Sequence, residues 1–130
     1  MPTVLIADDS PTIRGFARLA LRGLPVELVE AEDGVQALLL LRESVPALAL
    51  IDVNMPNLDG LGVLRALRAD PDPRLRALPV LLLTAERGEE LRAECLGAGA
   101  LGLIEKPLRI GELKARVAEL LAGLAGSALP

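Results

Sequence analysis

The segment VLIADDSP runs four apolar residues straight into two adjacent acids, Asp8 and Asp9. Asp52 ends a second apolar run in LIDVNMP, Thr84 a third in VLLLTAE, and Lys106 follows a fourth in GLIEKP. A buried strand has no use for carboxylates at its end. If these four ends lie together, three carboxylates share one pocket, and each pair about 4 Å apart repels by about 4 kcal/mol at an effective dielectric near 20. Protonation relieves that repulsion, and so does a bound cation. Carboxylates, a backbone carbonyl and water form an all-oxygen set that suits Mg²⁺, and such a metal neutralises phosphoryl oxygens. A carboxylate is also a nucleophile that can form an aspartyl phosphate. Asp52 is the candidate for that role, with Thr84 as a hydroxyl donor and Lys106 as a point charge for phosphate oxygens.

Each residue alone has an ordinary reading. Asp8 or Asp9 can cap the next helix, Asp52 can open a turn, Thr84 can be structural, and Lys106 can be a solvated lysine. The joint reading gains force because four strand ends carry complementary groups. Glu32-Asp33-Gly34 and Asp59-Gly60 read as turns and helix caps, and DPDPRL reads as a loop.

The chain has 130 residues, 52% hydrophobic with 1% aromatic, so its core is built from Leu, Val, Ile and Ala. Histidine is absent, which excludes a Ser-His-Asp triad, a histidine-ligated zinc and a histidine base. The single cysteine, Cys95, excludes an intrachain disulfide and a cysteine metal cluster, and reads as a small buried hydrophobe. A net charge of -4 argues against a nucleic-acid-binding face. No apolar run approaches the roughly 20 residues of a membrane span. Met1-Pro2-Thr3 leads directly into a strand without a basic leader, so a cytoplasmic protein is expected.

Short apolar runs alternate with longer amphipathic stretches. Strands are expected over Thr3–Ala7, Val26–Ala31, Ala47–Ile51, Val80–Leu83 and Leu101–Ile104. Helices are expected over Pro11–Leu24, Gly34–Glu43, Leu61–Ala69, Gly88–Gly97 and Ile110–Leu124. Ser10 is placed to cap the first helix, with Pro11 at its first position. Continuous apolar strands joined by helices indicate a parallel sheet buried on both faces. The expected fold is α/β: a five-stranded, doubly wound, flavodoxin-like sheet in the order 2-1-3-4-5 with five helices. Its ligand crevice falls between the first and third strands. Residues 1–122 form one domain, and residues 123–130 read as a flexible tail or the start of a linker.

The motifs ADDSPTIR, DVNMPNLDG, TAE and EKP, in this order and spacing, resemble the response-regulator receiver domain of two-component signalling. The resemblance runs from about Thr3 to Leu121. DVNMPNLDGL and LTAE are similar to single-domain chemotaxis regulators of the CheY type. The resemblance implies that Asp52 accepts a phosphoryl group from a histidine kinase or histidine phosphotransfer protein. It implies that Asp8, Asp9, Asp52 and the backbone carbonyl of Asn54 hold Mg²⁺, with Mn²⁺ as an alternative, and that Thr84 and Lys106 bind phosphoryl oxygens. It further implies a cis Lys106–Pro107 bond, and side chains of Asn54 and Glu86 that tune the phosphoryl lifetime. Leu103 stands where receivers commonly carry a switching Tyr or Phe, and Leu108 where Phe often follows the proline. Leu103 is then expected to transmit a smaller repacking of the face formed by the helix at 88–97, the strand at 101–104 and the helix at 110–124.

The expected function is a phosphorylation-controlled binding module rather than an enzyme. A downstream protein would dock on that face, without contact to nucleic acid or membrane, and the chain would be a monomer or a phosphorylation-dependent dimer. The alternatives are the receiver part of a larger regulator, or a Mg²⁺-dependent phosphatase or phosphotransferase acting on small molecules.

Overall fold

The computed structural model describes residues 1–127, with side-chain surroundings through Gly123. The elements alternate along the chain: β1 (Thr3–Ala7), α1 (Pro11–Leu21), β2 (Glu27–Ala31), α2 (Gly34–Glu43), β3 (Leu48–Asp52), α3 (Gly60–Arg68), α4 (Pro73–Arg76), β4 (Val80–Thr84), α5 (Glu89–Gly97), β5 (Gly102–Glu105) and α6 (Ile110–Ser127). One sheet holds all five strands in the order β2-β1-β3-β4-β5, every pair parallel.

The continuous apolar runs explain the arrangement. Every residue of β3 and β4 is buried, as parallel strands covered on both faces must be. Alternate side chains feed two cores. Leu5, Ala7, Ala49, Ile51 and Leu82 pack under α2, α3 and α5, while Val4, Ile6, Leu48, Leu50, Leu81 and Leu83 pack under α1 and α6. The chain leaves β1 toward one face and β3 toward the other. Their adjacent carboxyl ends therefore open a crevice at the point where the winding reverses.

The expected caps are present. Ser10 Oγ accepts from the Ile13 N–H at 3.3 Å, with Pro11 opening α1. Asp33 and Asp59 cap α2 and α3, each accepting a 2.7 Å bond, from the Gln36 and Gly62 N–H groups. The helix count is corrected from five to six, because DPDPRL is more than a loop. Asp72 accepts from the Arg74 N–H at 2.9 Å and Pro73 opens the single turn of α4. Asp-Pro is itself a cap-and-first-residue signal, but four residues are too few to display a helical period. Of the segment 123–130, residues 123–127 belong to α6 and residues 128–130 lie outside the described residues.

One side chain ties the extra turn to the sheet. The guanidinium of Arg68, at the end of α3, donates to the carbonyls of Leu75 (3.4 Å), Arg76 (3.0 Å), Leu78 (2.9 Å) and Gly99 (2.7 Å). Gly99 has φ +102°, and a Cβ there would press on Arg68 Nε at 2.7 Å. Arg68→Met leaves these carbonyls without their charged donor and is expected to destabilise the fold by about 2–4 kcal/mol. Arg74→Met, at an exposed pair, is expected to change stability by less than about 0.5 kcal/mol. Urea denaturation of the two variants beside the native protein checks both.

Candidate functional site

The parallel sheet brings every strand's carboxyl end to one edge. Asp8 follows β1, Asp52 closes β3, Thr84 closes β4 and Lys106 follows β5. The registers Ala7↔Ile51, Asp52↔Leu83 and Thr84↔Glu105 set these groups side by side. Asp8, Asp52 and Thr84 are the buried polar residues among the described residues, exposed by 0%, 4% and 1%. Asp9 is exposed. One carboxylate oxygen from each of Asp8, Asp9 and Asp52 lies within 4.8 Å of the others.

Lys106 closes the pocket from the β5 side, just before a cis Lys106–Pro107 peptide. Its Nζ stands 3.0 Å from Asp8 Oδ2 and 3.2 Å from Asp52 Oδ2. The buried Asp8 Oδ2 is ion-paired to Lys106 but has no hydrogen-bond partner. Asp8 Oδ1 accepts from the Ser10 N–H at 2.9 Å, and Asp52 Oδ1 accepts a long 3.3 Å bond from the Asn54 N–H. Thr84 Oγ1 accepts from the Glu86 N–H at 3.0 Å, so its own proton is free to be donated. Asn54 and Glu86 are exposed at the mouth. Leu103 is half-buried and packs against the core under α5, away from the acids.

Burial, followed by the charge of Asp8, pushes the Asp52 carboxyl above the ordinary carboxylate range, against the opposing pull of Lys106 and the Asn54 N–H. Burial works against the charge on Lys106, but the close negative charges of Asp8 and Asp52 hold its ammonium above the usual lysine value. Three carboxylates thus face one ammonium. The donors are all oxygen, and one of them is buried without a hydrogen bond. A hard divalent cation fits that set.

Arg14 is the neighbour that the sequence reading passes over. Its Nη1 donates to the backbone carbonyl of Asp8 at 2.7 Å. A cation in the first turn of a helix opposes the helix dipole, and that was the available signal.

Fold and site together define a doubly wound α/β domain with an acidic crevice at its switch point. The model of the response regulator receiver domain family matches residues 4–118, and the chain belongs to that family, the receivers of two-component signalling. Response regulator MprA of Mycobacterium sp. (strain KMS) is 42% identical over 120 residues, which cover 91% of this chain and 50% of that relative. MprA of Mycobacterium avium (strain 104) is 41% identical over the same shares. The chain therefore spans about half the length of these relatives. Among solved structures, the receiver domain of the Francisella response regulator 1452 superposes with a TM-score of 0.85 at 32% identity, covering 95% of this chain and 99% of that one. Vibrio cholerae chemotaxis protein CheY4 gives 0.84 at 30% identity, covering 92% and 98%. Among the described residues, no helix is long and apolar enough to cross a membrane.

The raised Asp52 carboxyl has a sign that can be measured without metal. The folded state favours its protonated form, so its charge opposes folding at neutral pH. The native protein regains that stability as pH falls through the raised folded value, and fully below the unfolded value near about 3.9. In EDTA at pH 7, Asp52→Asn is expected to melt above the native protein. The gap should narrow as pH is lowered, and thermal melts across that range check it.

Proposed function

We propose that the chain is a phosphoacceptor whose partner-binding face is switched by phosphoryl transfer to Asp52. The observation that carries this reading is a buried Asp52 carboxyl held beside two further carboxyl groups and the Lys106 ammonium. The donor is a phosphohistidine on a histidine kinase or phosphotransfer protein, which accords with the absence of histidine in this chain. An Asp52 carboxylate oxygen attacks phosphorus and the phosphorus–nitrogen bond breaks. The imidazole then leaves with the bonding pair and takes up a proton, which yields an aspartyl phosphate.

Asp8, Asp9, Asp52 and the Asn54 carbonyl would hold Mg²⁺, or Mn²⁺ in its place. When bound, the cation neutralises the crowded carboxylates and the phosphoryl oxygens. Lys106, 3.2 Å from Asp52 Oδ2, turns its ammonium to a phosphoryl oxygen, and Thr84 donates its hydroxyl proton to another. Asn54 and Glu86 at the mouth govern how readily water reaches the acyl phosphate. A shift of Thr84 acts on β5 through their shared register, in which Leu82 stands beside Leu103. The face of α5, β5 and α6 thereby repacks and binds a downstream protein.

The half-length match to MprA relatives supports a second reading, in which the chain is the receiver half of a longer regulator and phosphorylation pairs two copies.

Incubation with Mg²⁺ and acetyl phosphate is expected to add one phosphoryl group by intact mass. No adduct is expected on Asp52→Asn or in EDTA. Labelling of Asp52→Asn would refute the assignment. In the native protein, phosphorylation is expected to move the amide resonances of Leu103 and its α5 and α6 neighbours, and an unmoved face would remove Leu103 from the switch.

A further inference from the structure

We infer that Arg14, braced by Glu30, is a positioning residue for the cation: it sets the peptide between Asp8 and Asp9 and so aims the Asp9 carboxylate. The inference rests on the proposed reading that these two acids hold a divalent ion.

The hydrogen bonds of Asp8 lead to it. The Asp8 N–H donates to the Ala31 carbonyl at 3.1 Å, and its Oδ1 accepts from the Ser10 N–H. Its carbonyl accepts from Arg14 at 2.7 Å. The group left without a hydrogen bond is Oδ2, the atom beside Lys106 and the other acids. Asp9 is different. It is exposed, and its carboxylate has no hydrogen bond to any described residue. Within the protein its placement rests on where the backbone sets its Cα–Cβ bond, and its own two torsions then swing the carboxylate about that point. The Asp8 carbonyl belongs to the planar peptide that leads into Asp9, so a donor fixed on that oxygen fixes the plane from which the Asp9 side chain leaves.

Arg14 is itself well fixed. Its side chain is only 13% exposed, and its Nε lies 3.3 Å from Glu30 Oε1 and its Nη2 3.8 Å from Glu32 Oε1. Glu30 stands on β2 in register with Ile6 of β1, and Arg18 holds its other oxygen at 2.8 Å. The glutamate does two things. It points the guanidinium at the carbonyl, and it offsets a positive charge that would otherwise repel a cation beside the acids. A planar fork can do this where a point-charge ammonium cannot, because it reaches a carbonyl and a carboxylate at once. Partners behind a metal ligand typically change metal affinity by about 10–100-fold.

The test is a titration of the full chain with MgCl₂, followed through the Asp9 and Ser10 amide resonances, with urea stability measured in parallel. Arg14→Met with Glu30→Gln removes the clamp while keeping local charge constant, and it is expected to weaken Mg²⁺ binding by about tenfold. Arg14→Lys keeps the charge and a donor but loses the fork, so a smaller loss is expected; it also serves if the double variant does not fold. Arg18→Met loosens one brace on Glu30 and leaves the Arg14 bond to the Asp8 carbonyl in place, so a loss smaller than that of Arg14→Lys is expected. Native affinity in both the double variant and Arg14→Lys would overturn the role of Arg14, as would equal losses in Arg14→Lys and Arg18→Met. A native chain that does not bind Mg²⁺ would refute the cation reading itself and the inference with it.

Discussion

Two buried carboxylates, Asp8 and Asp52, are held against one ammonium at the end of the sheet, with Asp9 close behind them. Attraction to Lys106 is what lets this arrangement exist in the folded chain, and the attraction is incomplete. Asp8 Oδ2 has no hydrogen bond, and Asp52 titrates above its ordinary range because burial and Asp8 outweigh the lysine. Buried charge that is only partly compensated is sensitive to any charge added nearby. A cation relieves it. On the proposed reading a phosphoryl group then changes its sign again, within reach of the same lysine.

The rest of the molecule serves to hold that imbalance in place. Fully buried β3 and β4 leave little freedom for register slips, because shifting a strand by one residue would exchange the side chains of the two cores. The caps of α1, α2 and α3 start each helix close to the crevice and keep the intervening loops short. Far from the site, Arg68 gathers the α4 turn, the entry to β4 and the loop before β5 onto one guanidinium. The strands that carry Thr84 and Lys106 are thus braced at their other end. Rigidity here has a functional sense. On the proposed reading, a change at Thr84 passes into β5 as a repacking beside Leu103, since a dense apolar layer deforms little by itself.

Leu103 changes the character of that layer. An aromatic side chain has a large flat body that can turn between pocket and solvent, whereas a leucine shifts only a few methyl groups. On the proposed reading the signal on the α5, β5 and α6 face is correspondingly a change in packing. It is not the swing of one side chain.

Much of this was legible in the residues themselves. Apolar runs such as VLIA and VLLL, alternating with longer amphipathic stretches, read as strands covered on both sides, and the helices between them point to parallel pairing. Parallel pairing in turn puts Asp8, Asp52, Thr84 and Lys106 at one edge. Ser10-Pro11 and the acids before Gly34 and Gly60 announce their helix starts by local chemistry. The single turn of α4 was not legible as a helix, because a cap without a following period looks like a loop. Nor could sequence order reveal that Arg14 reaches back to the Asp8 carbonyl, that Asp8 Oδ2 is left without a hydrogen bond, or that Leu103 packs under α5. Residue type and spacing determined the elements and the edge on which the chemistry gathers, since hydrophobic period and capping are local properties. Distances, burial and the contest between Asp8 and Lys106 over Asp52 were decided by the tertiary structure alone, because Coulomb energy and desolvation depend on separations across strands that the order of residues does not encode.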